Sequence, residues 1–559
     1  MHASQIPQSS GGVHKLCHQP TANFEQYYSP YHVVNNNSSD TSSSGTQLSY
    51  QTQNEKFFTL DSLPDAGYVS YDSPPAVSVS SNWSPFSPQC SQSYISDQHH
   101  SSDNTYGSPL SGCSVMNDGN ELKHVLREMA NNLLGPGSDI DEDSSCSFNG
   151  EVSKPSKWNR VLEIAPSLDM KELLLACAEA ISDVEVTARD AQMNVLGQKV
   201  SDADVTARDA LINVLEQKVS VSGEPMQRLS AYMLEGLKAR IYSSGSNIYK
   251  MLKCKEPTGS ELISYMQVLY HICPYYRFAY TSANVVIEEA MRNESRIHII
   301  DFQIAQGSQW VFLMQNLAHW PGGPPSVHIT GVDDSQSAHA RGGGLHLVGE
   351  RLAKAAESCG VPFEFHAAAI SGCEVQLENL QIRHGEALAV NFPYVLHHMP
   401  DESVTTANHR DRLLRLVKSL SPKIVTLVEQ ESNTNTSAFL PRFRETLDYY
   451  TAMFESIDAG RPGDDKQRIN AEAHCVARDI VNIIACEGAD RVERHEVFGK
   501  WSMRLTMAGF TPCPLSPSVG EAINGVLKEF SPNYRFAENK GALYLGWKNR
   551  ALATSSAWR

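Results

Sequence analysis

Hydrophobic positions along the chain fall into three regimes. Over residues 1–120 they are scattered aromatics, Tyr27, Tyr28, Phe57, Phe58, Tyr71, Trp83 and Phe86 among them, set in Ser-, Asn- and Pro-rich sequence. The first 110 residues hold 24 Ser, two Lys and no Arg. Such a chain buries too little apolar surface to offset its ordering entropy. A disordered tail is therefore expected over 1–157, broken by one amphipathic helix at 121–134. There Leu122, Val125, Leu126, Met129 and Leu133 share a face, and Gly135-Pro136 end it. The second regime has helical spacing: Met170, Leu173, Leu174, Cys177 and Ile181, then further stripes at 224–240 and 258–272. It predicts a mainly helical cap over 158–275.

From about residue 276 to 559 the pattern changes again. Short β-branched runs alternate with amphipathic stretches. Strands are expected at 297–301, 328–332, 363–366, 387–391, 424–429, 504–508 and 542–547, with helices between the first five, 342–356 and 410–420 among them. The last two strands are expected to pair antiparallel at the sheet edge, with a short helix at 519–530 between them. Alternation of this kind predicts an α/β, Rossmann-like doubly wound sheet. In the first strand Ile297, Ile299 and Ile300 form a run suited to burial on both faces of a parallel sheet. It ends at Asp301. Trp310, Leu313, Met314 and Leu317 then keep i, i+3, i+4, i+7 spacing, so a helix starts near Ser308.

The loop between them lies at the carboxyl edge, where open α/β sheets place ligands. A nucleotide cofactor there needs glycines wherever backbone must approach it. Gln303 and Ala305 occupy two such positions and only Gly307 remains. An ordinary turn is expected, with Asp301 capping backbone N–H groups and no cofactor. Residues 182–200 and 201–219 are a tandem repeat, identical at 14 of 19 positions. Nineteen residues is not a whole number of helical turns. Gly197 weakens the first copy as helix, so that copy is expected to bulge as an extra turn or loop.

Several marks stand in a recognisable order. His298-Ile299-Ile300-Asp301 closes the first strand. Asn391-Phe392-Pro393 follows the fourth. Leu440-Pro441-Arg442-Phe443-Arg444-Glu445 comes next, then Arg491-Val492-Glu493-Arg494, then Ser556-Ala557-Trp558 with Trp501 and Trp547 before it. These resemble the VHIID, PFYRE, RVER and SAW motifs of the GRAS family of plant transcriptional regulators, scarecrow-like in type. Residues 122–136, 391–398 and 426–436 carry a closer likeness to the branch linked to phytochrome A signalling and to chitin- and gibberellin-responsive members. The resemblance covers roughly residues 158–559. It implies nuclear action, association with DNA-binding transcription factors, and dimers with the same or other GRAS chains. The family has one unit where this chain has the repeat. The strand order is also similar to that of S-adenosylmethionine-dependent methyltransferases. On that likeness Asp301 is the acid ending the first strand, Asp333 the ribose-binding acid, and Asn391-Phe392-Pro393 a catalytic-type loop. A methyltransferase-like enzyme is therefore one alternative to a co-regulator, and a directly DNA-binding factor is the other.

Charge narrows the choice. Net charge is −17, and from Trp158 onward 40 Lys and Arg stand against 47 Asp and Glu. Neither part is basic, so strong unaided binding to the DNA backbone is not expected. No basic run of five suggests nuclear import, which leaves room for a cytoplasmic pool. No apolar run of about 18 residues predicts a membrane span, and residues 1–19 lack a signal core. The twelve cysteines contain no Cys-x-x-Cys pair, which points to a reducing compartment and away from structural zinc. His397-His398 and Glu429 with Glu431 are expected to be loop packing; no metal ligand or catalytic residue is assigned. Arg491–Arg494 is expected to be a solvated or internally paired helix face. With the helical cap, it is the expected docking surface for partners.

Overall fold

A computed structural model describes residues 157–192, 201–242, 259–334 and 344–559. The expected tail and its helix at 121–134 lie outside the described residues. Arg160–Arg559 fall in one compact unit.

Helix α1 (Met170–Gln192) buries Leu173, Leu174, Cys177 and Ile181 along one stripe. Residues 182–192 of the first repeat copy extend this helix rather than bulging, because no helix breaker precedes Gly197. Residues 193–200 lie outside the described residues. The second copy forms α2 (Asp202–Lys218) and buries Ala207, Leu211, Ile212 and Leu215. Helix α3 (Pro225–Ile241) opens on Pro225, with Glu224 and Gln227 capping each other's backbone. Helices α4 (Gly259–Ile272) and α5 (Tyr275–Met291) lead into the sheet.

Strand β1 (Arg296–Asp301) lies between β2 (Ser326–Val332) and β4 (Ala387–Pro393), parallel to both, with Ile299 opposite Ile329 and Ala389. With β3 (Phe363–Ala368) and β5 (Ile424–Gln430) the parallel order is β3-β2-β1-β4-β5. The order reverses direction between β1 and β4, the switch point of a doubly wound sheet. Helices α6 (Ser308–Leu317), α7 (Leu345–Cys359) and α8 (His409–Ser419) make three of the crossovers. The β3–β4 link holds only a 3-10 turn, Leu377–Leu380, not the expected α-helix.

After β5 come α9 (Phe439–Gly460), α10 (Lys466–Ala471), a π-helical turn at Glu472–Val476 and α11 (Ala477–Ala485). Helix α3 packs against both α9 and α11. Arg228 of α3 is fully buried and binds Glu472 at 3.0 Å and Asp458 at 2.9 Å. A Cβ at Gly236 of α3 would sit 3.1 Å from Ile484 Cβ, so the glycine permits this close approach.

The expected strand at 504–508 belongs instead to α12 (Phe498–Met507). Buried Phe498, Trp501 and Leu505 are three and four apart, a helical stripe that a five-residue window cannot show. Two-residue β6 (Pro512–Cys513) and helix α13 (Pro517–Leu527) follow. The sheet is completed by three strands beyond β5, in the order β9 (Arg550–Trp558), β8 (Ala542–Trp547), β7 (Tyr534–Asn539), each antiparallel to its neighbour. Lys540 and Gly541, with φ of +52° and +79°, form the two-residue β7–β8 turn. Positive φ at both positions matches the twist of the strands it joins.

Candidate functional site

The motif at the end of β1 is packed from within. His298, Ile299, Ile300 and Asp301 are all buried. Asp301 accepts hydrogen bonds from the Gln303 N–H at 3.0 Å and Trp310 Nε1 at 2.7 Å. Burial raises its carboxyl to about 7, against the pull of these donors. Asn391 is a β4 residue rather than part of a loop; it donates to Gln309 Oε1 at 3.0 Å and accepts from Thr426 Oγ1 at 2.8 Å. Phe302 stacks on Phe392 with ring centroids 4.7 Å apart. Buried Ile304 fills the space above Gly331, where an added Cβ would meet it at 3.2 Å. Gly307 has φ +73°, and a Cβ there would lie 3.1 Å from Val348 and Leu352 side chains. The glycine thus serves helix packing and a left-handed turn. Ala305 is also left-handed, with φ +46°. The loop lacks the glycines an adenosyl cofactor would need, and Ile304 fills the space above Gly331, while Gln303 and Ala305 line a cavity at the ends of β4 and β5.

The later motifs are braces. In α9, Pro441 is exposed and Arg444 half-buried, while Arg442 is buried and donates to the Ile483 carbonyl at 2.9 Å and to Glu487. Glu445 accepts from Ser432 Oγ at 2.9 Å and Arg550 at 2.5 Å, tying the β5 exit to the start of β9. Arg491–Arg494 is neither helical nor solvated. Arg491 reaches the Thr434 and Asn435 carbonyls at 2.7 and 2.8 Å, and Arg494 holds the Arg491 carbonyl at 2.8 Å. Asn482 of α11 fixes the backbone by accepting from Val492 and Glu493 N–H groups at 2.8 and 2.9 Å. Carbonyl oxygens accept from Arg491 Nη1 and from Arg494, which offsets the cost of burying these charges, while Arg491 Nε has no partner. The run is therefore not an exposed docking surface. Fully buried Arg410 of α8 binds the Met399 and Arg494 carbonyls at 2.8 and 3.0 Å and lies 5.0 Å from the Trp501 ring. Ser556, Ala557 and Trp558 are β9 residues facing Leu427, Thr426 and Val425. Trp547 is buried and donates to Glu455 at 3.0 Å.

One cluster joins motifs that the sequence keeps about a hundred residues apart. His397, just after β4, donates from Nδ1 to Glu429 Oε2 at 2.5 Å and stacks on His495 with centroids 4.5 Å apart. Glu493 lies 3.4 Å from His397 Nε2, 3.5 Å from His495 Nε2 and 3.3 Å from His398 Nδ1. Burial alone would raise the Glu493 carboxyl, but the surrounding imidazoles outweigh it and hold it below the usual range. Burial pushes the His495 ring well down, toward its neutral form. The pair His397-His398 was visible in the sequence; its partners Glu493 and His495 were not. Beside the cluster, at the carboxyl ends of β4 and β5, is a cavity of about 350 Å³, lined by Tyr276, Tyr280, Tyr394, Met453, Gln430 and His398 among others. Among the described residues a second group, His298, His328 and Glu386, also brings potential metal ligands together. There His328 Nδ1 pairs directly with Glu386 Oε2 at 3.2 Å.

Fold and site together define a class: a Rossmann-like, doubly wound α/β scaffold with an added helical layer and a cavity at the carboxyl edge of its sheet. The chain belongs to the GRAS domain family, whose model matches residues 196–559. It is similar to Scarecrow-like protein 13 of Arabidopsis thaliana, 57% identical over 561 residues that span 100% of this chain and 99% of that protein. Scarecrow-like transcription factor PAT1 of Arabidopsis thaliana is 55% identical over 458 residues, 81% of this chain and 89% of that protein. Chitin-inducible gibberellin-responsive protein 2 of Oryza sativa subsp. japonica is 52% identical over 544 residues, 97% of this chain and 94% of that protein. The crystal structure of SCL7 in Oryza sativa matches with a TM-score of 0.59 at 30% identity, covering 70% of this chain and 100% of that chain. Among the described residues no helix is long and apolar enough to cross a membrane.

Proposed function

We propose that this chain is a plant transcriptional co-regulator in light, hormone or defence signalling. It acts through contacts with DNA-binding transcription factors and through homo- or heterodimers with other GRAS proteins. The observation that carries this reading is the fate of four buried arginines, three of them in the motifs, where only Arg444 stays half-buried. Arg410, Arg442, Arg491 and Arg494 are buried and spend their donors on carbonyl and carboxylate oxygens. A protein that neutralises phosphates needs such charges on its surface. The remaining balance of 40 basic to 47 acidic residues from Trp158 onward leaves no net basic charge. DNA is then reached indirectly. With Arg491–Arg494 turned inward, partner contacts fall to the helical layer. The names of similar proteins, a transcription factor and a gibberellin-responsive protein, lie in the same field. The Asp301 carboxylate is bonded by Gln303 and Trp310 and its loop lacks cofactor glycines, which supports a scaffold rather than an enzyme. The protein works in the nucleus, and a cytoplasmic pool follows from import that depends on partners.

The test is a fluorescence anisotropy titration of the full-length protein against promoter duplexes at physiological salt. Weak binding, equal for matched and scrambled sequences, is expected, with specific occupancy restored by a DNA-binding partner. Nanomolar affinity with clear discrimination would replace the co-regulator with a direct DNA reader. Calorimetric titration with S-adenosylmethionine should give no binding heat. A low-micromolar dissociation constant lost in Asp333→Ala would restore the enzyme reading.

A further inference from the structure

The cluster beside the cavity has an imbalance of hydrogen-bond acceptors. His397 Nδ1 carries a proton, because its partner Glu429 is a carboxylate that only accepts. His495 Nδ1 faces Thr434 Oγ1 at 3.1 Å, and that hydroxyl also accepts the His495 backbone N–H at 3.1 Å. Glu493 Oε1 is held by His398 Nδ1 at 3.3 Å. Each of the three side chains is thus fixed from its far end. Their near ends, His397 Nε2, His495 Nε2 and Glu493 Oε2, converge within 4.8 Å of one another. With Nδ1 protonated on both rings, three lone pairs face one buried point. Glu493 Oε2 and His495 Nε2 have no hydrogen-bond partner, although both residues are more than nine-tenths buried. Unpaired buried acceptors are costly, so something positive belongs between them.

We propose that His397, His495 and Glu493 bind one divalent first-row transition-metal ion, with zinc the expected occupant. Two imidazoles and a carboxylate form a donor set typical of such ions. A tetrahedral ion with bonds near 2.0–2.1 Å requires ligand atoms about 3.4 Å apart. The two measured edges to Glu493 Oε2 are 3.4 and 3.5 Å. The third edge lies within 4.8 Å, and binding would require the two stacked rings, inclined at 29°, to rotate closer at Nε2. The outer partners are those a metal histidine needs: Glu429 selects the Nδ1–H tautomer of His397, and the Thr434 hydroxyl, able to donate or accept, orients the His495 ring. Glu429 is itself anchored by the Leu396 N–H at 2.8 Å. His397 and His398 also line the cavity, which gives the ion an entry path. At Glu386 the neighbouring His328 already supplies a direct donor to the carboxylate, and the unpartnered atom is His328 Nε2 on the other side of the ring rather than a carboxylate oxygen. The ion would clamp the Arg491–His495 segment to the ends of β4 and β5. The inference does not depend on the regulatory reading.

The test uses full-length, untagged protein purified without chelator. Elemental analysis by mass spectrometry should find about one metal equivalent per chain. Glu493→Gln and His495→Ala should lose it, whereas Glu386→Gln should retain it. Chelator should lower the Tm of the wild type and leave that of Glu493→Gln unchanged. Where a variant fails to fold, cobalt titration of the wild-type apoprotein decides. Saturation at one equivalent with visible bands of tetrahedral cobalt, displaced by zinc, supports the site. Folded wild type that carries no metal and takes up neither zinc nor cobalt overturns it, leaving a shared proton as the cation. Equal metal content in wild type and Glu493→Gln would overturn it as well.

Discussion

The two halves of the sheet's carboxyl edge use the same kinds of side chain to opposite effect. At the end of β1, polar tips answer one another: Asp301 with Trp310, Asn391 with Gln309 and Thr426. At the ends of β4 and β5, a cavity of about 350 Å³ persists. Gln430 Oε1, Glu493 Oε2 and His495 Nε2 there have no hydrogen-bond partner. A closed crevice gains rigidity from each satisfied bond, and an open one keeps unspent capacity for a ligand or ion. The ligand region of the fold has therefore not been erased. It is filled by Ile304 above Gly331 and stays open where Gln303 and Ala305 meet the ends of the fourth and fifth strands.

The sharpest way to break the contrast is to cut the brace next to the open half. Arg410→Met deprives the Met399 and Arg494 carbonyls and Glu496 of their buried partner. A loss of about 3 kcal/mol or more is expected, read as a lower urea midpoint at constant slope. A loss below about 1 kcal/mol would mean that the carbonyls find other donors. On the closed side, Trp310→Phe should cost about 1.5–3 kcal/mol by removing a donor from a buried carboxylate. Gly307→Ala should cost about 1–3 kcal/mol through its left-handed backbone and its crowding against Val348 and Leu352. Thermal melts of both variants check these values.

How much of this was legible depends on distance along the chain. Strands such as β1, β2 and β5 were readable because their β-branched runs are local and buried on both faces, and β3, a half-exposed edge strand, from its Phe-Glu-Phe-His alternation. The turn at Asp301 was also readable from local signals. Strands β7 and β9 were not. Ser555, Ser556 and Thr554 make β9 read as polar, yet all three are buried between β5 and β8. Helix α12 was mistaken for a strand because its stripe needs eight residues to appear. Arg491–Arg494 read as a solvated or internally paired helix face; its pairing is internal but not helical, because local charge density cannot reveal that Thr434 and Asn435 carbonyls wait across the fold. The His397–Glu493–His495 group was hidden by the same non-locality.

A pH series separates the closed crevice from its surroundings. Burial raises the Asp301 carboxyl to about 7, above its unfolded value of about 4. The folded state therefore keeps a proton that the unfolded chain has lost. This contribution to stability is complete below about pH 4, fades as pH rises toward 7, and is gone above. Relative to Asp301→Asn, the wild type should lose stability across that window, with a limiting slope of about 1.4 kcal/mol per pH unit. Comparing the two proteins cancels other raised carboxyls, such as Glu288 and Glu431. A difference that does not change with pH would show that Asp301 is charged throughout, held by its two N–H donors.

The smallest effect is expected on the open side, at Gln430. Its carboxamide lines the cavity, and Oε1 meets no donor. Removing an unsatisfied acceptor costs nothing in broken bonds, and a leucine of similar length adds apolar contact with Tyr394 and Met453 across the cavity wall. Replacement of an unpaired polar group by an apolar one is often neutral or stabilising. Gln430→Leu should therefore change stability by no more than about 0.5 kcal/mol, in contrast with the costs at Trp310 and Gly307. A loss comparable to theirs would mean that Gln430 holds a water or ligand the fold depends on. The polar groups of the open half would then be bonded as fully as those of the closed one.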